Sequence, residues 1–147
     1  MSVAKKALTA AAAVALAAPI AIAASSTAGA KSEAAIIGKW DVVVSVHVTE
    51  PPVEMPQTCD FTADHKIYCI TKPGQEPLEG NGIWQLDRSG VFSFWVTHPD
   101  PNGEINATHL GRIERNRFTT KATAYIYAPT GAAIIGPVTV GSKAKRI

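Results

Sequence analysis

Few side chains in this sequence are equipped for chemistry, and none of their spacings is that of a catalytic motif. There is no nucleophile elbow, phosphate loop, dinucleotide fingerprint or metalloprotease helix. The histidines, His47, His65, His98 and His109, lack a ligand spacing such as His-x-His, so no metal and no cofactor are expected. Asp100, Asn102 and Glu104 alternate like part of a calcium loop, but without a distal bidentate Glu they read as a solvated turn. Asn106-Ala107-Thr108 fits a glycosylation sequon by pattern only. Cys59 and Cys69 do not have the Cys-x-x-Cys spacing of a redox pair. His98 and His109 are of more interest, because both flank the segment Pro99 to Gly103, a turn by composition. Two imidazoles at one rim could bind a polar ligand group or act as acid and base; they could equally be half-exposed residues beside a turn.

The elements that would position these groups are read from the rest of the chain. At 147 residues there is room for one domain, which argues against multi-domain enzymes, nucleotide-binding α/β folds and long solenoids. Charged residues make up 18%, below the roughly 25% of an average soluble protein, largely because of an alanine-rich start. Residues 1–30 read as a secretory signal: Lys5 and Lys6 precede an apolar run from Ala7 to Ala18, and Pro19 breaks it. Small-x-small sites would allow cleavage after Ala23 or Ala30. The apolar run is shorter than the ~20 residues a spanning helix needs. The expectation is a secreted domain over residues 31–147 with no membrane attachment after cleavage.

Without Lys5 and Lys6, the 14 basic residues fall to 12 and match the 12 acidic ones, which disfavours nucleic acid as a partner. The charge is uneven. Residues 31–104 carry 5 basic and 11 acidic side chains, and residues 105–147 carry 7 basic and 1 acidic. A mildly basic wall would result if the last strands lie side by side; ordinary solvated side chains are the plainer reading.

From Gly38 the apolar residues alternate. Trp40, Val42, Val44, Val46 and Val48 share one face of a strand that Pro51, Pro52 and Pro56 are expected to end. A hairpin follows, Gln57 to Thr62 and Lys66 to Thr71, turning at Ala63 to His65. Further strand-like runs cover Gly82 to Asp87, Val91 to His98, Glu104 to Arg115, Phe118 to Ala128 and Ala132 to Ile147, with Pro137 marking a bend or bulge. Short turns join them, and no helical periodicity of ten residues appears. Eight such strands without long Greek-key crossovers predict an all-β fold, an antiparallel up-and-down barrel that leaves no edge strand open. The hairpin register, centred on Asp64, sets Cys59 opposite Cys69, and two facing thiols in an oxidising compartment should form a disulfide.

In the fifth strand Phe92, Phe94, Val96 and His98 share a face, and in the sixth Ile105, Ala107 and His109 do. If these bulky faces point inward, both histidines point inward with them. In the seventh, Ala122, Ala124, Ile126 and Ala128 oppose Tyr125 and Tyr127; small inward residues would leave a cavity, or pack against Trp84, Phe92 and Phe94 in a filled core. An eight-stranded barrel permits both outcomes.

Gly38-Lys39-Trp40, opening the first strand of this meander, resembles the Gly-x-Trp signature of the lipocalins and the wider calycin superfamily. The resemblance implies a basic residue from the last strand packed on the indole at the closed end of the barrel, and Arg146 stands where it is needed. The outline is also similar to small secreted bacterial proteins of the allene oxide cyclase barrel type, including the segment Gly80-Asn81-Gly82-Ile83-Trp84. These resemblances imply either a carrier or a cofactor-free cyclase or isomerase acting on a polyketide- or lipid-like substrate.

The leading expectation is a secreted barrel that binds a small hydrophobic molecule in its lumen, with Trp84, Phe92, Phe94, His98, His109 and Ala124 lining the site. A cyclase or isomerase on the same barrel is the alternative, and a structural barrel with a filled core is the third reading. Oligomeric state is left open.

Overall fold

The computed structural model describes residues 32–147; the expected signal segment, with both of its cleavage sites, lies outside the described residues. Eight strands, β1 Gly38–Val46, β2 Val53–Phe61, β3 Lys66–Thr71, β4 Glu79–Leu86, β5 Val91–Asp100, β6 Gly103–Glu114, β7 Arg117–Tyr127 and β8 Ala133–Arg146, form a closed antiparallel barrel in sequence order. A single 3₁₀ turn, Glu33–Ala35, capped by the Ser32 hydroxyl, precedes β1. Closure is made by β1 on β8, with Trp40 paired to Arg146 and Val46 to Val140.

Several boundaries differ from the sequence reading, among them the start of β4, which lies at Glu79 rather than Gly82. Pro56 does not end a strand but sits inside β2, paired with Val43. It is tolerated because the β2–β3 ladder stops at Gln57 and Thr71; beyond that pair the Pro56 carbonyl accepts from the Lys72 N–H at 3.0 Å, and no neighbour requires the N–H that proline lacks. The β5–β6 turn is tighter than its composition suggests, with Asp100 already paired to Gly103. The irregularity expected at Pro137 is present: Ala124 pairs with Val138 and Ile126 with Ile135, so two β8 residues oppose one of β7. β6, β7 and β8 are adjacent, and Arg112, Arg117, Lys121, Lys143 and Lys145 are exposed on them, giving the basic wall.

The two ends of the barrel are built differently. At the base, where β1 begins and β8 ends, Phe61, Phe92 and Phe118 meet edge to face with centroids 5.0 to 6.4 Å apart, and Trp40 lies 4.9 Å from Phe118. Such aromatic contacts add to the area they bury. Trp84 joins the cluster through Phe61 and donates its indole N–H to the Thr62 carbonyl at 3.0 Å. The 3₁₀ turn lies across this end: Ile36 is fully buried, and its carbonyl accepts the Trp40 indole N–H at 2.7 Å. Toward the opposite mouth the inward side chains become small or β-branched. Along β1, Trp40 and Val42 are buried, Val44 and Val46 half-buried, and Val48, just past the strand, is 59% exposed. One apolar face thus runs from a sealed base to an open rim.

Candidate functional site

The upper half of the lumen is a cavity of about 340 Å³, at the small end of the range for ligand pockets. Its walls are the β1 valines, Met55 and Gln57 of β2, Phe94, Val96 and His98 of β5, and Ala107, His109 and Ala124 of β6 and β7, with residues of β8 and the Cys59–Cys69 disulfide completing the surface. Among the described residues no Asp, Glu, Lys or Arg lines it.

Of the residues expected at the site, Phe94, His98, His109 and Ala124 come together around this space. Trp84 and Phe92 do not reach it and instead belong to the base cluster, a correction with a simple cause. Their inward direction is as expected, but Phe61, Phe118 and Trp40 meet them across the lumen and fill that level. Of the two readings of the histidines, the half-exposed one is excluded: His98 is 7% exposed and His109 only 2%. His109 pairs across the ladder with Phe94 rather than with a turn residue, and its ring stacks on Phe94 at 4.3 Å.

His109 is held from behind. Its Nδ1 lies 2.9 Å from the Thr120 hydroxyl, which in turn shares a hydrogen bond of 2.5 Å with the Ser142 hydroxyl. Thr120 and Ser142 are buried and do not line the cavity, so the chain orients the imidazole and is no nucleophile array. Burial, and then the neighbouring His98, push the His109 pKa down to about 4, and burial lowers that of His98 as well. Both rings are therefore neutral at neutral pH, and the lumen presents no charge. The His98 ring has room because residue 80 is glycine: a Cβ there would fall 2.1 Å from His98 Cε1. Its Nδ1 is buried without a hydrogen-bond partner.

The disulfide stands in the expected register, with Cys59 paired to Cys69 and the sulfurs 2.07 Å apart. Its place in the lumen wall was not foreseen. Gln57, Thr120 and Ser142 were also missed, although each has the inward parity of its strand: Gln57 with Cys59 and Phe61, Thr120 with Phe118 and Ala122, Ser142 with Val140 and Ala144. That parity is the signal that could have found them.

No family model matches the chain, and no curated protein matches it. Among solved structures it resembles EF1p2_mFAP2b, determined bound to DFHBI, with a TM-score of 0.60 and 16% identity over 78% of this chain and 95% of that one. It also resembles mFAP1, a redesigned β-barrel bound to DFHBI, with a TM-score of 0.54 and 13% identity over 77% of this chain and 96% of that one. At such identities the likeness is one of fold.

Proposed function

We propose that this protein binds a small hydrophobic molecule in the upper half of its barrel. The observation that carries this reading is the apolar cavity of about 340 Å³ that opens at one end and is sealed by aromatic packing at the other. That the similar barrels were solved with a small molecule bound is in keeping with it. The stacking of Arg146 on Trp40 supports a calycin-like closure. Export belongs to the same reading: a disulfide suits an oxidising compartment, and cleavage after Ala23 or Ala30 would be read directly from the mass of the mature protein.

A cofactor-free cyclase or isomerase is the second reading, favoured by the hydrogen-bonded chain behind His109. Binding is preferred because an imidazole with a pKa of about 4 is a weak base at neutral pH, and acid–base catalysis works best near the operating pH. Shape alone could still fold a flexible substrate into reactive geometry.

The test is titration with an apolar fluorescent dye, 1-anilinonaphthalene-8-sulfonate's uncharged analogue N-phenyl-1-naphthylamine, against wild type and Ala124→Phe. Ala124 is buried in the cavity wall, so the phenyl ring would occupy the lumen. Saturable binding by wild type and its loss in the folded variant are expected. Unchanged affinity in a folded Ala124→Phe protein would place binding outside the lumen.

A further inference from the structure

We infer that the lumenal ligand is an uncharged molecule with an apolar body and a carbonyl-type hydrogen-bond acceptor, and that the Gln57 carboxamide is the group that receives this acceptor. The inference rests on the lumenal binding reading and specifies its chemistry.

Gln57 is only 2% exposed, yet it lines the cavity and its Nε2 has no hydrogen-bond partner. Its Oε1 rests 4.0 Å from the Cys59 sulfur. That sulfur is bonded to Cys69 and has no proton to donate, so this is a packing contact that turns the oxygen toward the disulfide wall. Neither end of the carboxamide therefore has a hydrogen-bond partner, and with the oxygen against the disulfide the nitrogen is the end left to a ligand. A buried amide with nothing to bond carries an uncompensated desolvation cost, and an apolar residue of similar shape would avoid it. A lumen occupant that accepts from Nε2 removes it.

With its oxygen on the disulfide wall, Gln57 also sets the polarity of the interaction. An amide nitrogen only donates, whereas the unpartnered Nδ1 of His98 donates or accepts according to tautomer. In this orientation of the carboxamide the ligand presents an acceptor to β2. Charged ligands are disfavoured by what surrounds them: among the described residues no basic side chain lines the cavity to pair an anion, and no carboxylate to pair a cation. The lowered pKa values of His98 and His109 agree, since neither ring supplies a positive charge at neutral pH.

Three probes of one shape test this: 2-acetylnaphthalene, 2-ethylnaphthalene and 2-naphthoate, titrated by calorimetry at pH 7 into wild type, Gln57→Met and Ala124→Phe. The expected result is that wild type binds the ketone about tenfold more tightly than either of the others, as an otherwise unpaired buried donor would require. Gln57→Met should erase the preference for the ketone while leaving 2-ethylnaphthalene bound as well or better. A measurement on wild type alone guards against a variant that fails to fold: the infrared carbonyl stretch of bound 2-acetylnaphthalene should fall below its position in hexane. Equal binding of ketone and hydrocarbon with an unshifted stretch overturns the inference, and lumenal binding survives if Ala124→Phe still abolishes uptake of the hydrocarbon. Tightest binding of 2-naphthoate overturns it as well. Failure of all three probes to bind overturns both this inference and the lumenal reading.

Discussion

The Arg146 guanidinium lies 4.7 Å above the centroid of the Trp40 ring, joining the end of the last strand to the start of the first. It does more than stack. Its Nη1 donates to the Ile37 carbonyl at 2.7 Å and its Nη2 to the Ala35 carbonyl, so one side chain holds the segment that lies across the barrel base. Gly38, at φ +124°, leaves space for it: a Cβ there would stand 3.0 Å from Nη1.

Trp40→Ala should cost on the order of 3 to 5 kcal/mol, since the indole is fully buried against Phe118 and bonded to Ile36. Arg146→Ala should cost about 2 kcal/mol through its two charge-assisted bonds and the stacked cation. Arg146→Lys should recover only part of this, because an ammonium cannot fork to two carbonyls in the same way. Urea denaturation of the three variants measures it; a Trp40→Ala loss under about 0.5 kcal/mol, the range of surface substitutions, would contradict the closure.

Acid should weaken the fold through His109. Below its ordinary value of 6.5 the unfolded chain takes up a proton there that the folded protein refuses until about pH 4. Stability conferred by the neutral ring is thus full above pH 6.5 and is lost as the pH falls toward 4, in total on the order of 3 kcal/mol. The groups packed around it, Phe94, Thr120 and the neutral His98, offer no carboxylate to compensate. In His109→Gln, which has no proton to take up, the decline over this window should be shallower. Equal pH profiles would show that the imidazole titrates freely in the fold.

Two glycines on β4 should respond to alanine to different degrees. At Gly80 the nearest atoms to the added methyl are those of the His98 ring, a side chain that can swing aside into the cavity; Gly80→Ala should fold with a loss of about 1 kcal/mol and bind N-phenyl-1-naphthylamine less well. At Gly82 the methyl would stand 1.7 Å from the Trp95 carbonyl oxygen, and only backbone movement relieves that, so Gly82→Ala should cost about 3 kcal/mol or more. Thermal melts and dye titration of the pair distinguish the two.

Thiol labelling of denatured, unreduced protein should find no free sulfur, since Cys59 and Cys69 are bonded and are the only cysteines. The double variant Cys59→Ala, Cys69→Ala should lose about 2 to 3 kcal/mol, the expectation for a loop this short. Two labelled thiols per chain would refute the pairing.

Strand number, sequential order and the cysteine register were all legible in the amino-acid sequence. These depend on local quantities: side chains alternate with a period of two along a strand, and turn residues set where the chain reverses. The inward direction of Phe94, His98, His109 and Ala124 was legible for the same reason. Which inward residues enclose space depends on the assembled barrel. Trp84, Phe92 and Phe94 have equivalent parity and all three rings meet Phe61, yet Trp84 and Phe92 lie within the aromatic level, whereas Phe94 stands at its upper edge, and above it the walls carry Ala107, Ala124 and the β1 valines and leave the lumen open. A cavity is a difference between the volume a barrel encloses and the side chains that eight strands bring to one level, and no single strand contains that information. The neutrality of His109 and the solitude of the Gln57 amide follow from the same enclosure, because both depend on water being kept away by residues distant in the chain.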